Sequence, residues 1–349
     1  MTSILMLSAY RSDSHALWAT SVQHHLTADW RCLELPGRHF RWRIRGNPLS
    51  WLPELHALLQ DWQPQHILAT SMVDLATIKG LFPALAKVPS SYYFHENQFA
   101  YPVSSGQHHS IDPQMVQMYG ALAAERLLFN SMFNRDTFLA GVDELLQRLP
   151  DHVPEGISTL LQQRSACLPV PVAPIERRPH GARSRPLLLW NHRWEYDKRP
   201  DLFLQLLRQL QQRQQPVDVA LLGGRSQSVN PALEIIRQEF SGWIVVDDYP
   251  DRSQYLHWLQ QADLVFSCAE HEFQGVAMLE AVSAGALPVV PDALCYREQY
   301  PPQCRYPAGD MAAAAERIVA WQQLPIVDIS NWLQPATGEM WRQWLAAIR

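Results

Sequence analysis

Glu272 and Glu280 stand eight residues apart in His271-Glu272-Phe273-Gln274-Gly275-Val276-Ala277-Met278-Leu279-Glu280-Ala281, directly after the apolar strand-like run Leu264 to Cys268. Gly275 is placed to open a helix just beyond a strand end, where its N–H and those that follow can receive a phosphate at the positive helix terminus. On that helix Glu280 falls among Val276, Ala277, Leu279 and Val282. A carboxylate on so apolar a surface costs free energy unless it accepts good hydrogen bonds, which sugar hydroxyls can supply. The plainer alternative is a surface or helix-capping pair of glutamates. A second charged loop, Asn191-His192-Arg193-Trp194-Glu195-Tyr196-Asp197-Lys198-Arg199, again separates a strand-like run from a helix, and its Arg193 and Lys198 can converge on one anion. Lys198 is one of three lysines in a chain that otherwise uses arginine, which suits a compact point charge. A solvated loop with a Glu195 to Lys198 pair is the alternative there.

Three segments of the first half carry further chemistry. His95 follows an apolar run and belongs at a strand end, where a neutral imidazole can bind a sugar hydroxyl or position an acceptor; it can also cap the next helix. Ser12, Asp13, Ser14 and His15 occupy the first strand-to-helix loop, to meet acceptor or phosphate, or to cap the helix through Ser14. Arg38-His39-Phe40-Arg41-Trp42-Arg43-Ile44-Arg45 interleaves cations with aromatics, a composition that can neutralise phosphates while Phe40 or Trp42 stacks on an unpaired RNA base. As an extended strand it puts Arg41, Arg43 and Arg45 on one face. A solvated basic edge strand and an interfacial membrane anchor are the competing readings.

These loops need a scaffold, and the hydrophobic rhythm supplies one. Strand-like runs at Ile4 to Leu7, Arg31 to Leu35, His66 to Ala69, Ser91 to His95 and Leu127 to Asn130 alternate with helix-compatible stretches. The rhythm restarts after Pro179, with strands at Leu187 to Trp190, Val217 to Leu222, Trp243 to Val246, Leu264 to Cys268 and Leu287 to Val290. Helices fall between them near Pro200 to Gln212, Pro231 to Phe240, Arg252 to Gln261 and Gly275 to Ala284. Two α/β domains with doubly wound parallel sheets are expected, 1–178 and 179–349, facing a cleft at the carboxyl ends of their strands. Five prolines and four arginines between Pro169 and Pro186 suit a linker. The apolar spacing of Met340, Trp341, Trp344, Leu345 and Ile348 predicts a terminal helix over Gly338 to Arg349 that can pack on either domain, the first included.

With 349 residues, 47% hydrophobic and 18% charged, the chain has material for two cores and no signature of disorder. Its five scattered cysteines form no C-x-x-C pair and read as packing residues of a reducing compartment. No secretory signal fits the start, and no segment has the roughly 20 apolar residues of a membrane span; a cytoplasmic location without stable membrane insertion is expected. The net charge of −5 argues against a generally basic nucleic-acid coat. Residues 1–185 nevertheless hold 16 Lys and Arg against 15 Asp and Glu, and the rest 13 against 19, so the first half is the more basic.

Taken together, these motifs resemble the GT-B glycosyltransferases, especially retaining nucleotide-sugar enzymes similar to glycosyltransferase family 4. Glu272 and Glu280 correspond to their E-x7-E element, and Arg193 and Lys198 to their diphosphate clamp. The resemblance implies that Glu280 holds the ribose, Glu272 contacts the donor sugar, and backbone at Gly275 and Val276 meets sugar or diphosphate. No cofactor and no metal are implied, since the clamp neutralises the diphosphate, and there is no D-x-D and no His/Cys ligand cluster. Five segments narrow the match: 35–43, 91–102, 129–134, 149–152 and 191–198 look like the tRNA-queuosine α-mannosyltransferase family. What that family implies is retaining transfer of mannose from GDP-mannose to queuosine in a tRNA anticodon loop. His95, Arg193, Lys198 and Glu272 are then catalytic, and Ser12, His15, Asn97, Arg41, Trp42, Arg43 and Arg45 meet the acceptor. A lipid-linked or polysaccharide acceptor, or a non-catalytic RNA-binding protein, are the other readings.

Overall fold

The computed structural model describes residues 1–101, 110–178, 183–224 and 230–348. Pro102 and the predicted restart at Pro179 lie outside the described residues. The chain divides into two compact units, Met1–Pro171 with Pro335–Arg349, and Val172–Gln334.

In the first unit the order is β1 (Ser3–Arg11), α1 (Asp13–His25), β2 (Asp29–Pro36), α2 (Phe40–Ser50), α3 (Leu52–Asp61), β3 (His66–Thr70), α4 (Leu75–Leu81), β4 (Ser90–Phe94), α5 (Asp112–Leu122), β5 (Arg126–Phe129), α6 (Met132–Gln147), α7 (Ile157–Gln163) and β6 (Ser165–Cys167). The strands form one parallel sheet, β2-β1-β3-β4-β5-β6. All of β3 and β4 is buried, as expected of strands covered by helices on both faces, and this is why they read as continuous apolar runs.

The second unit contains β7 (Leu187–Trp190), α8 (Pro200–Gln212), β8 (Asp218–Leu221), α9 (Pro231–Glu239), β9 (Ile244–Asp247), α10 (Arg252–Gln261), β10 (Leu264–Phe266), α11 (Val276–Ala284), β11 (Leu287–Pro291), α12 (Tyr296–Gln299), β12 (Arg305–Tyr306) and α13 (Met311–Val319). Its sheet is also parallel, in the order β12-β11-β10-β7-β8-β9. Each sheet therefore reverses its winding once, at β1/β3 in the first unit and at β7/β10 in the second. Loops leaving the carboxyl ends of strands at such a reversal leave a crevice between them, the usual ligand site of an open α/β sheet.

Three local expectations differ from what forms. Arg38 to Arg45 is not an extended strand: α2 starts at Phe40, after a left-handed His39 (φ 56°). The helix runs through Pro48, whose missing N–H leaves the Ile44 carbonyl unpaired along the backbone. The buried Asn47 compensates, its Nδ2 donating to the Ile44 and Arg43 carbonyls at 3.2 and 2.8 Å. The proline-rich stretch is irregular, yet residues from Val172 onward belong to the second unit: Ile175 N–H donates to Ser283 Oγ at 2.9 Å, and Gln260 Nε2 to the Glu176 carbonyl at 2.9 Å. The terminal helix, α14 (Gln334–Ala347), starts four residues before the predicted Gly338 and from Pro335 onward belongs to the first unit. Its Trp341 Nε1 donates to the Pro169 carbonyl at 3.2 Å and its Trp344 Nε1 to Ser91 Oγ at 3.0 Å.

Candidate active site

At the reversal of the second sheet, the loop after β7 ends in a single helical turn, Tyr196–Lys198, and the left-handed Arg199 (φ 53°) then turns the chain into α8. The loop after β10 lies against it, because the Glu270 N–H donates to the Asp197 carbonyl at 2.9 Å. That junction buries Lys198. Its Nζ is 3.0 Å from Glu272 Oε2, 3.3 Å from Asp197 Oδ2 and 2.8 Å from the His271 carbonyl oxygen. Burial opposes the ammonium charge, but Glu272 and Asp197 outweigh it and hold the pKa of Lys198 above its ordinary value. Burial likewise opposes ionised Glu272, and Lys198 outweighs it, pulling that carboxyl down to about 2. His192 and His271 flank the cluster, each lowered to about 4 by burial and by the Lys198 charge, and are therefore neutral imidazoles near pH 7.

The loop pairs differ from the simple Glu195 to Lys198 alternative. Glu195 instead accepts from Arg193 Nη1 at 3.1 Å, at a site where the arginine is more than half exposed. Gly275 is the left-handed N-cap of α11 (φ 65°) and its N–H hydrogen-bonds the Glu272 carboxylate. The first donor of that helix thus serves Glu272, and Val276 is the first helical residue. Glu280 obtains its hydrogen bonds within the chain: Arg252 Nη2 lies 2.7 Å from Oε1 and Tyr255 OH donates to Oε2 at 3.0 Å. Both come from α10, so sugar hydroxyls are not the only groups able to offset its burial. Asn191, at the end of β7, completes this corner by donating to Tyr255 OH at 3.2 Å and to the Ala277 carbonyl at 2.8 Å. Arg252 and Tyr255 were not legible as site residues, since no spacing rule links α10 to α11; Asn191 and Asp197 lie in the charged loop after β7, where the spacing pointed to Arg193 and Lys198 alone. Among the described residues no group of three His, Cys, Asp or Glu could hold a metal ion.

The first unit builds its reversal from rings. His95 follows β4 and stacks on His15 of α1, with centroids 4.1 Å apart and planes 19° apart. Trp18 and Tyr93 meet it edge-on at 4.6 and 4.7 Å. Burial and the neighbouring His15 push the His95 pKa well below the ordinary histidine value. His95 Nε2 is buried without a hydrogen-bond partner, and the residue caps no helix, since α5 is preceded by Ile111. His15 Nδ1 lies 2.6 Å from the Tyr10 carbonyl oxygen. Ser12, rather than Ser14, occupies the N-cap of α1, and makes no side-chain cap; the two hydroxyls lie 3.1 Å apart.

Asn97 corrects the acceptor set. It is fully buried, its Nδ2 faces Asn134 O, Asn134 Oδ1 and Thr137 Oγ1 within 3.1 Å, and its Oδ1 accepts the N–H groups of Phe99 and Ala100. Every polar atom is committed to folding the loop after β4, so none is left for a substrate. α2 spans the carboxyl ends of the strands: Phe40 meets Tyr10 at the end of β1, while Asn47 Oδ1 accepts the Asp74 N–H at 3.1 Å, beyond β3. Arg41 and Arg45, four apart, share a helical face and are exposed; Arg45 pairs with Asp74 at 3.0 Å. Arg43 is half-buried on another side of the helix, 3.4 Å from Ser50 Oγ. Trp42 is 52% exposed and lies across Gly46, where a Cβ would collide with the indole.

Residues 3–172 match the family described as tRNA-queuosine alpha-mannosyltransferase N-terminal. The tRNA-queuosine alpha-mannosyltransferase of Drosophila melanogaster is 33% identical to this chain over 319 residues, 87% of this chain and 83% of that protein. Among solved structures, sucrose-phosphate synthase from Thermosynechococcus elongatus is similar with a TM-score of 0.73, at 13% identity over 99% of this chain and 100% of its own. Anabaena HepE in complex with UDP is similar with a TM-score of 0.70, at 12% identity over 99% of both chains. At such identities the structural likeness speaks for fold alone, and the fold is GT-B. The identity to the Drosophila protein, over 87% of this chain and so through both units, goes further: this chain is a glycosyltransferase and belongs to the tRNA-queuosine alpha-mannosyltransferase family.

Proposed function

We propose that this glycosyltransferase moves mannose from GDP-mannose to queuosine in the anticodon loop of tRNA, with retention at the anomeric carbon and without a metal. The name and close identity of the Drosophila relative support the acceptor and the sugar. The observation that carries the chemistry is Lys198, a buried, protonated ammonium at the strand reversal, set among Glu272, Asp197 and the His271 carbonyl. The bond from the anomeric carbon to diphosphate breaks, the bond to an acceptor hydroxyl oxygen forms on the same face, and the hydroxyl proton passes to the departing diphosphate. Charge grows on the diphosphate as the glycosidic bond lengthens, and a cation already fixed in place stabilises it without reorganisation. Arg193 can exchange its exposed Glu195 partner for diphosphate at small cost, since such pairs are worth about 0–1 kcal/mol. Glu272 holds a donor-sugar hydroxyl, Glu280 the ribose, and backbone at Gly275 and Val276 the sugar or diphosphate.

On the acceptor side, His95, His15 and Ser12 meet the nucleoside, and α2 meets the RNA through Arg41, Trp42 and Arg45, with Arg43 in support. Among the described residues no helix is long and apolar enough to cross a membrane, and a cytoplasmic site of action fits a tRNA substrate. Incubation with GDP-mannose and queuosine-containing tRNA, followed by digestion to nucleosides and mass analysis, tests the reading. A hexose increment on queuosine is expected, unchanged in EDTA. No increment from folded protein with any nucleotide sugar removes the tRNA assignment, and loss of turnover in EDTA, restored by a divalent cation, removes the metal-free one.

A further inference from the structure

 

Trp341 of α14 is fully buried. Its ring packs on Trp18 (centroids 5.9 Å apart) and on Tyr93 (5.4 Å), the two rings that meet His95 edge-on. Trp18 and Tyr93 also stack on each other at 4.6 Å. The ends of this assembly are pinned by hydrogen bonds from Trp341 Nε1 to the Pro169 carbonyl and from Tyr93 OH to the Leu168 carbonyl, 3.2 and 3.0 Å. On its other side His95 stacks on His15, and the Asn130 side chain holds the His95 carbonyl at 2.8 Å.

We propose that Trp341 is a positioning residue: through Trp18 and Tyr93 it fixes the orientation and the dry surroundings of the His95 imidazole. The proposal rests on the reading that His95 meets a substrate hydroxyl. A buried imidazole nitrogen left without a partner costs stability, and the fold nevertheless keeps His95 Nε2 in that state. A ring cage holds such a group by shape, and among the described residues no ion pair or side-chain hydrogen bond to the imidazole orients it. The titratable groups packed against it are His15 of α1 and Tyr93 of β4, whose hydroxyl donates to the Leu168 carbonyl and is raised well above its ordinary value by burial. Neither is an anion that could favour a protonated His95, so its neutrality depends on exclusion of water.

The test uses the full chain with isotope-labelled histidine, comparing Trp341→Leu and Trp341→Phe with the parent. In Trp341→Leu the His95 pKa, read by NMR titration, is expected to rise by about one unit or more as water enters. Turnover is expected to fall several-fold at the acid end of its pH profile and to recover as pH rises, with KM for the nucleotide sugar unchanged. Trp341→Phe is expected to restore most of both. A merely structural role predicts instead an equal loss at every pH with the His95 titration unmoved, and that result overturns the proposal. Should Trp341→Leu fail to fold, Trp341→Met is read in its place, and an unmoved His95 titration there overturns the proposal as well. His95→Gln with parental turnover would remove the underlying reading of His95, while the titration still decides whether Trp341 sets its surroundings.

Discussion

The two strand reversals solve one problem, holding polar groups at the carboxyl edge of a parallel sheet, by opposite means. In the second unit a buried ammonium is held by two carboxylates and a backbone carbonyl. In the first, two stacked imidazoles are held by indole and phenol rings. A charge cluster is oriented by strong, directional contacts but has paid desolvation, so deleting one member leaves the others uncompensated. A ring cage depends on many weak contacts and responds to substitution by degrees. The charged reversal suits a step in which charge develops, and the ring-lined one suits recognition of a neutral hydroxylated ring.

The largest effect is expected at Lys198. Lys198→Ala strands Glu272 and Asp197 and should lower stability by about 3–5 kcal/mol and turnover by about a thousandfold. Denaturant melts and single-turnover assays read the two losses; near-parental turnover would place the cation outside the chemistry. Next comes Glu280→Gln, which should weaken nucleotide-sugar binding about tenfold by calorimetry with a smaller change in turnover. A fall in turnover with unchanged binding would reassign Glu280.

On α2, Arg41→Ala with Arg45→Ala should lower the salt slope of tRNA binding by about two while sparing nucleotide-sugar binding. Trp42→Ala should lower affinity with little change in slope, if its half-exposed indole stacks on a base. Titrations at several salt concentrations separate these, and an unchanged slope for the arginine pair moves the RNA surface elsewhere. The smallest effect is the acid dependence of stability. Glu272 has a folded pKa of about 2, below an unfolded value of about 4.3. Its contribution is therefore present above about pH 4 and is lost as pH falls towards 2. Glu272→Gln should flatten the stability profile across that window, and a parental slope there would show that the Lys198 pairing adds nothing net.

Much of this protein was determined locally by its sequence. The alternation of apolar runs with amphipathic stretches specifies parallel strands and covering helices, because a strand buried on both faces must be apolar throughout. The helices Pro200–Gln212 and Arg252–Gln261 match the predicted bounds residue for residue. Glu272, Gly275, Lys198 and His95 were legible because each follows such a run, where a parallel sheet presents its loops. Short edge strands were not: Ser165–Cys167 and Arg305–Tyr306 lack a β-branched residue and pair only because a neighbouring strand offers its free edge.

Tertiary structure alone decided which partners meet. Arg38 to Arg45 has a strand's alternation, yet it coils because Asn47 satisfies the carbonyl orphaned by Pro48 and anchors the helix to the loop after β3. Asn97 looks like a binding residue until its five contacts within the fold are seen. Arg252 and Tyr255 reach Glu280 from another helix, and Trp341 reaches the rings around His95 from the far end of the chain. Periodicity reports which face of an element is buried; it carries no information on which distant element supplies the burial, and the chemistry of both reversals depends on that choice.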